Sequence, residues 1–307
     1  MASWDGVASS SDGTRLAAVI AFGGIYTSTN SGVTWTATSA PIAHWHSIAS
    51  SADGMKLIAA EECLMPVCDS SSAAIYTSAD GGATWTNSLD SDAFSVASSA
   101  DGNHLATASG AISTNSGATW AGFGGGGYEA ISSSWDGTKL VSSDFNIFTS
   151  SDGGSTWSKT SAPTYLWWSV ASSADGSTLL AGVVNGSASI YSSIDSGATW
   201  ISNTAPTGVE WRALACSADG NKLFAAIRYG GIYTYQKTPA LTITSSNSDS
   251  ILSWPASATG FALQQNSHLD ATNWVTVTNA PVSDEIKKQV IIPKQTAEVM
   301  FFRLAAP

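Results

Sequence analysis

Apolar residues in this chain fall in short bursts separated by runs of Ser, Thr, Asp and Gly, and the bursts recur in a fixed order. Leu57-Ile58-Ala59-Ala60 and Ile75-Tyr76 are typical: too short for a buried helix, bounded by turn residues, and read as strands. Ahead of such pairs comes a further apolar segment led by Trp4, Trp45, Ala93, Tyr128, Trp167 or Trp211, each running to an Asp-Gly turn. Those turns, at Asp12, Asp53, Asp101, Asp136, Asp175 and Asp219, mark six repeats spaced 41, 48, 35, 39 and 44 residues apart. Each repeat reads as four strands. Periods of this size with glycine-rich turns predict blades or arrays. A solenoid would need polar end caps, which neither end carries. The expected fold class is all-β: a six-bladed β-propeller over 1–238, followed by a small β-sandwich over 239–307.

A second motif, S-x-[DN]-[GS]-G-x-T-W, occupies 28–35, 78–85, 113–120, 150–157 and 193–200. Asp or Asn at its third place accepts backbone N–H bonds, Gly at its fifth takes a positive φ, and Ser and Thr add side-chain bonds before an apolar strand begins at the Trp. These residues resemble the Asp-box of the sialidase-type repeat. The resemblance implies a propeller in which the box joins the two outer strands of a blade. The sixth repeat has no box: after Ile232-Tyr233-Thr234-Tyr235 the chain passes Pro239 into Leu241-Thr242-Ile243-Thr244, which either completes blade six or opens the next domain.

Beyond about Pro239 the boxes vanish. Ile251 to Pro255, Phe261 to Gln265, Trp274 to Val277, Val290 to Pro293 and Phe301 to Leu304 read as strands. This tail resembles a small β-sandwich module at the C-terminus of exported proteins of environmental bacteria, which implies export and attachment or stabilisation.

Composition narrows the setting. The 307 residues include 23 acidic against 12 basic, a formal charge of −11, which argues against nucleic acid or an anionic membrane as partner. Only 11% of residues are charged, which suits a secreted all-β protein. No stretch is long and apolar enough for a membrane-spanning helix. No export signal precedes the first repeat, so the expectation is a secreted or cell-surface protein, monomeric, read without its signal. Cys63 and Cys68 lie in one irregular loop and could bridge it, whereas Cys216 reads as buried filler in a strand.

Comparison among the repeats separates scaffold from candidate chemistry. Two places beyond the variable position stand Val7, Ile48, Val96, Ile131, Val170 and Leu214, all aliphatic and expected in the core. Just after the leading residue stand Asp5, His46, Phe94, Glu129, Trp168 and Arg212, all different. In a propeller this position lies near the mouth of the central channel. Strand two ends at the same face, adding Glu61, Glu62, Asp144, Phe145 and Arg228, and the loops into the inner strands add Tyr165 and Glu210. Trp168, Tyr165 and Phe145 are candidates for stacking on sugar faces; Glu129, Asp144, His46 and Arg212 are candidates for hydroxyl contacts. Solvated charge at strand ends is ordinary, so Asp5, Glu62 or Glu210 taken singly reads equally as surface. The leading Trp residues read as packing between blades.

Several chemistries follow. The sialidase activity that the box suggests needs three arginines on the substrate carboxylate. Of Arg15, Arg212, Arg228 and Arg303, the first lies at the opposite face and the last in the tail, so a sialidase is excluded. Another glycoside hydrolase or a lyase would use a carboxylate pair from Glu61, Glu129 and Asp144, with a span across the mouth suited to the wider separation of about 6.5–9.5 Å. His44 and His46, with Glu61 or Glu62 at the end of the neighbouring strand, form a two-His-one-carboxylate candidate for a metal. No cofactor is expected: Gly124 to Gly127 precedes no helix that could cradle phosphate. The leading expectation is a single glycan or small-ligand site at the channel mouth; the alternatives are a polysaccharide-active enzyme and a protein-interaction scaffold.

Overall fold

A computed structural model describes residues 3–62, 73–122, 129–184, 190–203, 205–237, 239–245, 248–256, 258, 260–270, 272–284, 286–293 and 299–305. The pair Cys63 and Cys68, which could bridge their loop, the glycine run 124–127 and Tyr128 lie outside them. The described residues contain strands and turns and no helix. Two compact units divide the chain, Met1–Tyr235 and Gln236–Pro307.

The first unit is a succession of antiparallel sheets, each an up-and-down meander of one repeat. Sheet one is Trp4–Ser9, Leu16–Ile20, Ile25–Ser28 and Thr36–Ala37, and sheets two to five repeat the order from inner strands Trp45–Ser50, Val96–Ser98, Ala130–Ser133 and Trp167–Ser172. Sheet six has three strands, Trp211–Cys216, Lys222–Ile227 and Ile232–Gln236. Residues 241–244 do not complete it, because Thr242–Ser245 pairs with Asp249–Pro255, Thr242 opposite Ser253.

Turn chemistry explains why the meanders form. In the second repeat Ser78 Oγ donates to Asp80 Oδ1 at 2.8 Å and accepts the Gly82 N–H at 2.9 Å, while Asp80 accepts the Thr84 N–H at 2.9 Å and its hydroxyl at 2.6 Å. Gly82 has φ +91°, and a Cβ there would meet Thr27 of the preceding sheet at 2.9 Å, so the position needs glycine for conformation and for packing alike. Asn30 keeps the first-repeat turn by accepting the Thr34 N–H at 2.9 Å and donating to the Thr34 hydroxyl at 2.8 Å.

Successive sheets pack face to face around buried aromatics. Trp45 packs with Ala17, Val19 and Ile25 between sheets one and two, Trp167 with Val141 and Ile147 between four and five, and Trp211 with Ala171, Leu180 and Ile190 between five and six. On the face carrying the Asp-Gly turns the sheets are also joined by backbone hydrogen bonds. Ser11 N–H donates to Ala52, Ala52 to Ala100, Ala100 to Trp135, Trp135 to Ala174 and Ala174 to Ala218, all within 2.7–2.9 Å. This radial, repeated packing is that of a β-propeller with six sheets.

Two core expectations need correction. Val7 is 69% exposed and Trp4 54%, whereas their counterparts Ile48 and Trp45 are 7% and 0% exposed. Sheet one begins the succession, and no described sheet covers its first face. Cys216 is half-buried rather than buried, and desolvation lifts its thiol to about 11, which makes it an unreactive group.

In the second unit one sheet holds Thr242–Ser245, Asp249–Pro255, Lys287–Pro293 and Val282–Ser283, and another holds Val275–Thr276, Ala262–Asn266 and Phe301–Ala305. Leu252, Trp254, Leu263, Val290 and Leu304 form one shared core.

Candidate functional site

The variable position owes its character to a β-bulge. In sheets one, two, five and six the pairing of inner strand with second strand slips at the leading Trp, between Trp4 and Gly6, Trp45 and Ser47, Trp167 and Ser169, and Trp211 and Ala213. The residue skipped each time is Asp5, His46, Trp168 or Arg212. An extra residue in one strand is freed from the ladder and its side chain re-aimed. Phe94 stands two residues, and Glu129 one, before the first paired residue of its own inner strand, Val96 and Ala130. All six side chains line one cavity of about 460 Å³, with Val7, Ile48, Ile131, Val170 and Leu214 below them.

Within this ring the groups are partnered unequally. The Arg212 guanidinium lies over the Trp168 ring, 3.8 Å from its centroid, and its Nε is 3.5 Å from Glu210 Oε2. Glu210 also accepts from Arg228 Nη1 at 3.1 Å, so one carboxylate holds two arginines. His46 Nδ1 lies 2.7 Å from the Phe94 carbonyl, which can only accept, so this nitrogen carries the hydrogen and Nε2 faces Asp5 Oδ2 at 3.9 Å. Glu129 has no side-chain hydrogen-bond partner among the described residues. Burial holds its carboxyl above the ordinary value, and the Asp144 carboxylate adds to the shift; His46 and Arg212 oppose it and Glu62 reinforces it. Glu129 and Asp144 are neighbours by register, since the Glu129 N–H donates to Ser143 at 3.0 Å.

Other candidates lie elsewhere. Glu61 does not line the cavity; burial raises its carboxyl, and its charge raises the Tyr76 phenol after that group's own burial. Tyr165 is committed to packing, its ring 5.6 Å from Trp167 and 6.0 Å from Tyr191, and so is not an open stacking platform. Phe145 is exposed at the turn after the second strand of sheet four, and Arg228 holds the matching place in sheet six. The candidate metal set of His44, His46 and Glu61 or Glu62 does not assemble. The bulge between Trp45 and Ser47 ends the alternation that would align the two histidines: His44 lies 3.2 Å from Glu62 and 4.3 Å from the Phe22 ring, whereas His46 lies 3.9 Å from Asp5. Among the described residues no group of three or more His, Cys, Asp or Glu side chains could hold a metal ion.

Two aromatics escaped notice in the sequence. Phe22 and Tyr229 occupy the same turn in sheets one and six, both with φ 58°, a strained conformation for bulky residues, and Tyr229 is 94% exposed. The signal was present as the paired stretches Phe22-Gly23-Gly24-Ile25-Tyr26 and Tyr229-Gly230-Gly231-Ile232-Tyr233. Arg228 lies over the Tyr229 ring at 4.9 Å.

No family model matches the chain, and no curated protein does. Solved structures match it as a fold. An ancestral GH74 enzyme is 14% identical with a TM-score of 0.58, over 80% of this chain and 37% of that one. A GH74 enzyme of Niastella koreensis is 13% identical with a TM-score of 0.57, over 90% of this chain and 52% of that one. YCF48 from Cyanidioschyzon merolae is 16% identical with a TM-score of 0.52, over 82% of this chain and 92% of that one. The chain thus spans about half or less of the two GH74 chains, and at these identities the likeness is one of fold, the β-propeller.

Proposed function

We propose that this protein binds a carbohydrate at the mouth of the central channel. The carrying observation is the convergence of six chemically different side chains, Asp5, His46, Phe94, Glu129, Trp168 and Arg212, on one cavity. A single unequal ring suits one ligand rather than one ligand per sheet. Half-exposed rings offer faces to sugars, and the carboxylates, His46 and Arg212 offer hydroxyl partners. Two of the propellers with a similar fold are GH74 enzymes, which agrees with a carbohydrate ligand without identifying it.

A second reading, a glycoside hydrolase or lyase, is favoured by one feature: Glu129 is held toward its protonated form beside the Asp144 carboxylate. A proton donor paired with an ionised carboxylate is what glycosidic cleavage needs. In this reading Glu129 protonates the leaving oxygen and Asp144 activates water or attacks. A sialidase remains outside the proposal, because Arg212 and Arg228 share Glu210. We further read the five turns as Asp-boxes, the second unit as a β-sandwich attachment module, and the protein as exported and monomeric, without nucleic acid or membrane partners.

Glu129→Gln and Asp144→Asn, screened against a polysaccharide panel for retention and for new reducing ends, test both readings. Loss of binding supports the site; binding kept with cleavage lost supports the enzyme. Unchanged behaviour on every responsive polysaccharide overturns the channel-mouth assignment.

A further inference from the structure

The second strand of sheet six returns to the channel mouth and turns there into the third strand. The turn runs from Ile227 to Gly230 and is closed by the Gly230 N–H to the Ile227 carbonyl at 3.1 Å; its third residue is Tyr229, with φ 58°. A left-handed place in such a turn ordinarily holds Gly or Asn, and a bulky ring there is strained. Gly230 and Gly231 follow, yet the left-handed place between Arg228 and Gly230 is held by the tyrosine. Packing does not offset the strain, for Tyr229 is 94% exposed. Phe22, at the matching place in sheet one, differs in setting its ring 4.3 Å from that of His44. A strained aromatic that does not pack on its own fold points to a role outside it.

The position of this turn is fixed from within the first unit. Arg228 donates its backbone N–H to the Glu210 carbonyl at 2.9 Å and its Nη1 to Glu210 Oε2 at 3.1 Å. Its guanidinium carbon lies 4.9 Å from the centroid of the Tyr229 ring. The same Oε2 lies 3.5 Å from Arg212 Nε, and Arg212 stacks on Trp168 in the cavity wall. Two rings, one in the channel and one on the rim, are therefore each stacked by an arginine, and a single carboxylate holds both arginines. A guanidinium takes one face of a ring, which leaves the other face of Tyr229 to solvent.

We propose that Tyr229 is an outer stacking platform of the channel-mouth site, and that this site takes a glycan chain of several units running from Trp168 past Glu210 to the turn of sheet six. The inference rests on the carbohydrate reading and adds to it the length of the ligand. A sugar presents an apolar face to a ring and hydroxyls around its edge, so a chain of sugars suits rings set apart with polar groups between them. Glu210, Arg212 and Arg228 link Trp168 to Tyr229, one able to accept from hydroxyls and two able to donate to them. A single sugar held at Trp168 would leave the strained ring of Tyr229 without use. An apolar ligand along the same path would desolvate the three charged groups and offer them no partner.

The test is calorimetric titration of the whole protein with cello-, manno-, xylo- and chito-oligosaccharides, each as disaccharide and as hexasaccharide. In a responsive series the hexasaccharide should bind about tenfold or more tighter than the disaccharide. Tyr229→Gly should remove about three- to tenfold of that preference and leave the disaccharide unchanged. It should also keep or raise the melting temperature, because glycine adopts the left-handed φ without strain. Tyr229→Phe should retain the preference, since the ring does the stacking, and Trp168→Ala should weaken both lengths. Four outcomes overturn the inference alone: the two lengths bind equally; Tyr229→Gly leaves the hexasaccharide unaffected while Trp168→Ala weakens it; Tyr229→Phe loses as much as Tyr229→Gly; or Tyr229→Gly lowers the melting temperature by several degrees, meaning that the ring is packed in solution. Binding in no series, or binding that Trp168→Ala leaves unchanged, overturns the channel-mouth carbohydrate reading itself and the inference with it.

Discussion

Arg212 stacks its guanidinium 3.8 Å from the centroid of the Trp168 ring, joining sheets five and six at the channel and covering one face of the indole. The other constraint on Arg212 is Glu210, whose Oε2 lies 3.5 Å from its Nε. A planar cation on an aromatic face keeps the indole oriented while leaving the remaining edge and face for a ligand.

Trp168→Ala should therefore weaken binding of a responsive polysaccharide by about tenfold, roughly 1.4 kcal/mol, with little change in melting temperature. Arg212→Lys should weaken it less than Arg212→Ala, because an ammonium retains charge but not the stacked plane. Calorimetric titration of the three variants checks the order.

Glu129 makes a pH prediction whose sign follows from its raised carboxyl. A group protonated more readily in the fold than in the unfolded chain leaves stability intact below the unfolded value and subtracts from it as pH rises through the folded one. Glu129→Gln should thus match the parent near pH 4 and melt at a higher temperature at pH 7. Thermal melts across that range decide it, and a variant less stable at pH 7 would contradict the desolvated, unpartnered carboxyl.

The turn aspartates act in the opposite sense. Asp12, Asp80, Asp136, Asp175 and Asp195 are each lowered to about 2, chiefly by hydrogen bonds from Ser and Thr hydroxyls with backbone N–H groups close behind. Their stabilisation is complete above the unfolded value near 4 and is lost as pH falls toward 2. Acid unfolding followed by near-ultraviolet circular dichroism should fall in that window. Asp80→Asn should reproduce the Asn30 turn and remove the Asp80 share of that acid sensitivity, leaving the share of Asp53 in the same repeat.

Equivalent tryptophans should differ in cost. Trp45→Ala removes a side chain that is 0% exposed and should cost about 3–5 kcal/mol, whereas Trp4→Ala, at 54% exposure, should cost about 1 kcal/mol. Denaturant titration of both variants measures the difference, and equal costs would mean that the first sheet is covered in solution.

Much of this architecture was legible from residues close together in the chain. The Ser, Asp, Gly and Thr of each turn bond to one another within about five positions, so the motif itself predicts the hairpin, the strand that follows and the number of repeats. The six-membered variable ring was legible for the same reason: repeated local geometry aligns unlike residues on one register, and all six reach the cavity. What lay beyond the sequence depends on sums over distant contacts. The bulges that aim Asp5, His46, Trp168 and Arg212 are slips between paired strands, and the one at Trp45 parts His44 from His46 in spite of their spacing. Tyr165 looked free until Trp167 and Tyr191 closed on it. Val7 and Trp4 share their pattern with Ile48 and Trp45 and differ only in whether a sheet stands opposite. Turn formation is a local energy and is written in consecutive residues. Whether the succession of sheets meets its own beginning is set by the accumulated angle of five packed joints, which no single repeat encodes.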